Sequence, residues 1–258
     1  MLLAIDVGNT HIVIGVFVKD EVAYNWRIST QGEKTEDEVG LIILELLERS
    51  HLGKEDIDGI VIGSVVPALT EALFYMSQKY FDIKPLVVNG RIETGMKILF
   101  DNPTEVGADR IADGIAAFAL YGGPVIVVDF GTGTTFDYIN EKGEYVGGAI
   151  APGIGICIDA LFSKAAKLSK VEYVKPPKVV GSNTMNCMQS GFYYGFAGQV
   201  DGIIGKMIEE MEIDAKDVTV VATGGYGRLV ERESKYIQKV EPLLTVYGLK
   251  MLYEKNCQ

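Results

Sequence analysis

The sequence predicts an α/β protein made of two similar lobes, and three observations carry that reading. The segment LAIDVGNTHIVIGVF (3–17) joins two apolar strands through an acid and a glycine turn. The segment VIVVDFGTGTTFDYI (125–139) repeats the pattern, so that Asp129-x-Gly131 follows Asp6-x-Gly8 by 123 residues, close to half the chain. After each hairpin comes a third strand and then a run of helix and strand signals. A repeat of that length implies duplication. Strands alternating with helical patterns imply mixed α/β lobes. The simplest arrangement sets the lobes facing each other with a ligand in the cleft.

The elements follow in chain order. LLAIDV (2–7), IVIGVF (12–17) and VAYNWRIS (22–29) form a three-strand meander. TEDEVGLIILELLERSHL (35–52) puts its apolar residues on one helical face, and Thr35 with Glu38 has capping-box spacing. GIVIGSVV (59–66) is a buried strand. Pro67 then opens a helix over 67–80, since the first helical turn has no use for the N–H that proline lacks. PLVV (85–88) is another strand. A helical stretch starts at Asn102-Pro103, runs through ADRIADGIAAFAL and breaks at Tyr121-Gly122-Gly123-Pro124. Beyond the second hairpin, YVGGAIAP (145–152) is a third strand, followed by a helix over 153–167. A loop containing Pro176 and Pro177 leads to a long helix over 183–212. VTVVATGG (218–225) is a strand ending in a glycine turn, and a helix over 243–255 closes the chain.

Composition narrows the function. At 258 residues, 48% apolar and 23% charged, the chain is long and apolar enough for globular lobes with proper cores. A net charge of −11 argues against nucleic acid as a partner, because such binding draws its affinity from Lys and Arg. An anionic small molecule stays open, since a local site can differ in sign from the whole. Cys157, Cys187 and Cys257 are odd in number and far apart, which supports neither a disulfide framework nor a zinc site and fits a reducing cytoplasm. Only His11 and His51 are present, which disfavours a histidine metal centre or a Ser-His-Asp triad. No signal peptide is read at the start. The uncharged, glycine-rich stretch YVGGAIAPGIGICI (145–158) is 14 residues and too short to cross a bilayer, so no membrane partner is expected.

The paired turns carry the chemistry. Gly8 allows a ligand close to the backbone, and Asn9 and Thr10 offer donors to phosphate oxygens. Asp6 repels a phosphate but can hold a hydrated Mg²⁺ that binds one. The second turn, Gly131-Thr132-Gly133-Thr134-Thr135, adds hydroxyls beside Asp129. Two tight hairpins that happen to end in acids would look the same singly; their occurrence at matching positions favours a polyphosphate clamp. P-loop, dinucleotide and nucleophile-elbow signatures are missing. The tripeptide Asp129-Phe130-Gly131 lacks the catalytic loop that accompanies it in protein kinases. The glycine turn in VATGGYG (221–227) suits either an adenine ring or an ordinary strand-to-helix connection. In NPTEVGADRIADGIAAF (102–118), Asp109 can take a proton from an attacking hydroxyl and Arg110 can fork onto a carboxylate. A surface pair of Arg110 with Asp113 is the structural alternative.

Taken in order, DVGNTHIVIG, GSVVP, NPTEVGADRIAD, VVDFGTGTT, GGAIAPGI, MQSGFYYG and VATGG resemble the type III pantothenate kinases nearly end to end. That family is a branch of the acetate and sugar kinase/Hsc70/actin superfamily. The resemblance implies a duplicated ribonuclease H-like, actin-like ATPase fold, with lobes over 1–117 and 118–258. It implies ATP-dependent phosphorylation of pantothenate, the first step of coenzyme A synthesis, by a cytoplasmic homodimer. Mg²⁺ and a monovalent cation, K⁺ or NH₄⁺, are the implied cofactors, with ATP as co-substrate. By position, Asp6, Val7, Gly8, Asn9, Thr10, His11, Ile12 and Val13 match the ATP-phosphate hairpin, with Asp6 holding Mg²⁺ through water. Gly107, Ala108, Asp109 and Arg110 match the pantothenate block, with Asp109 the proton acceptor and Arg110 gripping the substrate carboxylate. Asp129 matches the monovalent-cation ligand, Thr132 an ATP contact, and Thr184 a substrate contact near the dimer interface. Phe100 stands where the family often has Tyr near pantothenate, which removes a hydroxyl but keeps a ring. Gly133 stands where Ala is common. Other readings are a small-molecule kinase for another substrate, a non-catalytic regulator that kept the fold, and an actin-like filament protein.

Overall fold

The computed structural model describes residues 1–89, 92–164 and 171–257. It contains two five-stranded mixed sheets. The first is built from β1 (Leu2–Val7), β2 (His11–Val18), β3 (Glu21–Ser29), β4 (Gly59–Ser64) and β5 (Leu86–Val87), in the order β3-β2-β1-β4-β5. β1, β2 and β3 are antiparallel neighbours, whereas β4 and β5 run parallel to β1. The parallel returns require crossovers, which α1 (Glu36–Arg49) and α2 (Pro67–Phe81) supply. The second sheet comprises β6 (Val125–Phe130), β7 (Gly133–Ile139), β8 (Tyr145–Pro152), β9 (Thr219–Gly224) and β10 (Lys239–Val240). Its order is β10-β9-β6-β7-β8, the same topology read from the other edge. Its crossovers contain α4 (Ile154–Lys164), α5 (Thr184–Glu210) and α6 (Gly227–Glu231).

The chain divides into two compact units, Met1–Ala116 with Leu244–Gln258, and Ala117–Leu243. The boundary falls inside α3 (Ala108–Tyr121). The sequence division assigned the closing helix to the second lobe; in the structure α7 (Leu244–Asn256) packs on β1 and β4 of the first. Small residues on β4 make room for it. A Cβ at Gly59 would stand 2.3 Å from the Tyr253 hydroxyl, and one at Gly63 would stand 2.7 Å from Leu249.

Alternation along the strands sorts side chains into a core face and a site face. In the first unit, Leu3, Ile5, Val7, Ile12, Ile14, Ile60 and Ile62 are buried against Val39, Ile43 and Leu47 of α1 and Leu69, Leu73 and Met76 of α2. In the second, Ile126, Val128, Phe130, Phe136, Val220 and Ala222 meet Ile154 and Ile158 of α4 and Tyr193, Val200 and Ile204 of α5. Each fully buried aliphatic or aromatic side chain contributes about 1.5–3 kcal/mol. Thr35 and Glu38 form the expected capping box on α1, with Thr35 N–H donating to Glu38 at 2.9 Å.

Local structure departs from the sequence reading in several places. The helical stretch from Asn102 is broken. A 3-10 turn spans Pro103–Glu105, with Asn102 accepting from Thr104 N–H at 3.3 Å, and Val106 is extended before α3 begins. The strand read over 59–66 ends at Ser64, whose hydroxyl accepts the Val66 N–H at 3.1 Å and turns the chain into α2. Of the helix expected over 153–167, α4 covers Ile154–Lys164, and positions 165–167 lie outside the described residues. The five-residue α6 and the two-residue β10 are too short to leave a periodic signal.

Candidate active site

In the first unit, Asp6 points away from the core-facing row of Leu3, Ile5 and Val7 and is half-buried. Across the sheet it registers with Val13 of β2 and Gly63 of β4. The loop beyond it is closed by Gly8 N–H donating to His11 C=O at 3.0 Å. Thr30, just past β3, pins the same loop. Its hydroxyl donates to Gly8 C=O at 2.7 Å, and its N–H donates to Thr10 C=O at 2.9 Å. Asn9 and Thr10 are left exposed at the tip. Val7 and Ile12 are core residues, so their side chains hold the hairpin and only their backbones are available to a ligand. His11 Nδ1 lies 2.8 Å from the Arg27 guanidinium, which can only donate. Burial first, and the Arg27 charge second, push the His11 pKa down, so the ring is a neutral acceptor.

Asp109 lies in the first turn of α3, a favourable end of a helix for a carboxylate. Its Oδ1 accepts the Arg110 N–H at 2.8 Å. The carboxylate leans back over Gly107, where a Cβ would come within 2.4 Å of Oδ1, so glycine there leaves the acid its position. Ala108 and Arg110 beside it are half-buried, as is Phe100 upstream. Asp113, one turn on, is only 1% exposed and belongs to the interior.

In the second unit, Asp129 sits at the place in β6 that Asp6 occupies in β1. It registers with Thr135 of β7 and Thr223 of β9, making a row Thr–Asp–Thr across the sheet. Two glycines leave space around its carboxylate. A Cβ at Gly224, which has φ +80°, would stand 2.4 Å from Oδ1, and one at Gly131 would stand 3.1 Å from Oδ2. Thr132 is half-buried in the turn, and its carbonyl accepts the Gly153 N–H at 3.1 Å. Thr184 is the exposed first residue of α5, behind the Asn183 cap.

Among the described residues there is no cluster of three or more His, Cys, Asp or Glu side chains able to cage a metal. The chemistry on offer suits other modes. A half-buried carboxylate at the end of β1 fits a hydrated Mg²⁺ shared with phosphate, which keeps most of its waters. A carboxylate between two threonines, with glycine-made space around it, fits a larger, weakly hydrated monovalent cation. Sequence reasoning missed Thr30 and Thr223, because each joins its site only through strand pairing. A separate cavity of about 520 Å³, lined by Ser64, Thr70, Glu71, Tyr75 and Asn89 among others, contains none of the sequence-predicted site residues. No helix among the described residues is long and apolar enough to cross a membrane.

Comparison with known proteins supplies the identity. Two solved structures share the architecture at low sequence identity. One, described as a Baf-family transcriptional activator from Campylobacter jejuni, is 19% identical with TM-score 0.59, covering 98% of each chain. The other, the ethanolamine utilization protein EutJ from Carboxydothermus hydrogenoformans, is 16% identical with TM-score 0.56, covering 97% of this chain and 89% of that one. These likenesses show the fold, that of the actin-like ATPases and sugar kinases. A type III pantothenate kinase of Moorella thermoacetica is 55% identical over 256 residues, 99% of this chain and all of that one. The family profile described as type III pantothenate kinase matches residues 2–206, a span that holds both acid-ended hairpins and the Asp109 block. The chain belongs to the type III pantothenate kinase family.

Proposed function

We propose that this protein transfers the γ-phosphoryl group of ATP to the primary hydroxyl of pantothenate, opening coenzyme A synthesis, with Asp109 as the proton acceptor. The observation that carries the reaction is the 55% identity along essentially the whole chain. The residue roles rest on position and local geometry. Phosphoryl transfer depends on positioning and on charge neutralisation more than on covalent chemistry. The Asp6–Val13 hairpin receives the phosphates through the backbone and the exposed Asn9 and Thr10, and Thr30 keeps that loop in shape. Arg110 grips the pantothenate carboxylate, Phe100 packs against the substrate, and Thr184 and Thr132 contact pantothenate and ATP respectively. With Oδ1 of Asp109 held by the Arg110 N–H, Oδ2 takes the hydroxyl proton.

Mg²⁺ near Asp6 and K⁺ or NH₄⁺ near Asp129 would neutralise phosphate charge where the turns lack lysine. A cytoplasmic homodimer belongs to the same reading, supported by the three free cysteines and by the family resemblance. The test is a coupled assay of purified protein with ATP and Mg²⁺ over a panel of alcohols, with and without K⁺. Pantothenate should lead the panel by orders of magnitude and K⁺ should raise the rate. Turnover of a different alcohol in preference to pantothenate would refute the substrate assignment, and sedimentation velocity checks the dimer.

A further inference from the structure

We propose that Asp137, a fully buried carboxylate outside the residues assigned above, is a positioning residue for the cation held at Asp129. It would act by fixing the direction of the Thr135 hydroxyl. The inference rests on the reading of Asp129 as a monovalent-cation ligand.

Asp137 is 0% exposed on β7, on the same face of the sheet as Thr135 two residues earlier. Its two oxygens accept from two different hydroxyls. Tyr145, also 0% exposed, donates to Oδ1 at 2.5 Å, and Thr135 donates to Oδ2 at 3.0 Å. Thr135 is the direct cross-strand partner of Asp129, and such partners hold their Cβ atoms about 4.5–5.5 Å apart. A hydroxyl has one proton and two lone pairs. With its proton committed to Asp137, Thr135 can offer only lone pairs to anything beside Asp129. That makes it a ligand for a cation and denies it the option of donating to the Asp129 carboxylate. Carrying a carboxylate at zero exposure is costly unless its oxygens are hydrogen-bonded, and the two hydroxyls meet that need while one of them is turned toward the site.

The substitution Asp137→Asn reverses the polarity with little change in shape. The Tyr145 hydroxyl needs an acceptor, so the Asn oxygen faces Tyr145 and the amide NH₂ faces Thr135. The amide then donates to Thr135, consuming a lone pair, and the Thr135 proton turns out toward Asp129, where it competes with the cation.

The experiment is a K⁺ titration of the intact protein at constant ionic strength, read as the rise in Tm and, in parallel, as the K⁺ dependence of turnover. Wild-type protein should show a saturable rise. Asp137→Asn and Thr135→Val should each move the K⁺ midpoint up about tenfold, the scale of one lost polar interaction. Thr135→Ser, which keeps the hydroxyl, should stay within about twofold of wild type by the same reasoning, and KM for pantothenate should hold in all three. A purely structural role for Asp137 would lower Tm without moving the K⁺ midpoint. If Asp137→Asn does not fold, Thr135→Val against Thr135→Ser decides. A wild-type midpoint retained in Asp137→Asn and Thr135→Val overturns this inference alone. A wild-type protein with no K⁺ response overturns the reading of Asp129, and this inference with it.

Discussion

The two halves share a strand order and an acid at the same place, yet the acids live in different rows. In the first sheet the row across the strands is Val13–Asp6–Gly63; in the second it is Thr135–Asp129–Thr223. The first carboxylate has apolar neighbours, Val13 on β2 and Leu249 of α7 packed over Gly63, which offer an ion no ligand and suit one that keeps its waters. The second has a hydroxyl on each side, which suits an ion that sheds water. The turns differ as well. Four residues separate the last paired residues, Val7 and Ile12, of the first hairpin, against three between Phe130 and Thr134. At the end of the fourth strand of each sheet, Ser64 turns the first chain through its side chain, whereas Gly224 turns the second through a left-handed backbone. The two halves share a strand order and differ at the strand ends, where the proposed division of labour between two cations would lie.

The sharpest asymmetry is Asp109. α3 and α7 are counterparts, each following the last strand of its sheet, but α3 opens Ala108-Asp109-Arg110 and α7 opens Leu244-Thr245-Val246. Asp109→Asn should therefore lower turnover on the order of 10²–10⁴-fold, with nothing in the second half to compensate. Steady-state kinetics check this, and near-normal turnover would remove the general base. Next, Asp6→Ala and Asp129→Ala should fail in different ways. The first should raise the Mg²⁺ requirement about tenfold or more and leave the K⁺ midpoint alone, and the second should do the reverse, as expected when each deletes one charged ligand. Metal titrations that moved together would dissolve the division of labour.

Smaller effects probe the scaffold. Gly224→Ala puts a side chain at φ +80° and a Cβ within 2.4 Å of Asp129 Oδ1, so it should cost about 1–3 kcal/mol in denaturant unfolding and weaken the K⁺ response. Tyr145→Phe removes one of two hydroxyl donors to a buried carboxylate and should destabilise by about 1.5–3 kcal/mol. Last comes pH. His11 has a folded pKa below its ordinary value, so it binds fewer protons folded than unfolded. Its contribution to stability is present above the unfolded pKa near 6.5 and is lost as pH falls through the depressed folded value. A fall in Tm from pH 7 to pH 5 that is no shallower in His11→Gln than in wild type would show that His11 does not contribute.

Much of this was legible in the sequence because it is local. The acid-glycine hairpins, the Thr35–Glu38 cap and the proline start of α2 each depend on residues a few positions apart, and the structure has all three. The break at Asn102–Val106 was hidden, since Asn-Pro opens a 3-10 turn as readily as an α-helix, and the turn shows only in its hydrogen bonds, Glu105 N–H to Asn102 C=O at 3.0 Å and Thr104 N–H to the Asn102 side chain at 3.3 Å. α6 and β10 were hidden by brevity. Thr30 and Thr223 carried no signal, as a threonine within a strand or just past one looks the same whether it stands beside an acid-ended hairpin or faces solvent.

The sequence by itself determined the strands, the turns and which acids end them, because backbone preference and hydrophobic period act over a handful of residues. Only the tertiary structure decided that α7 closes on the first sheet, that Thr223 stands beside Asp129, and that Asp137 reaches both Tyr145 and Thr135. An apolar helix face specifies that it will be buried but not against what. Strand register over nearly a hundred residues is likewise set by packing of the whole core, which no local pattern encodes.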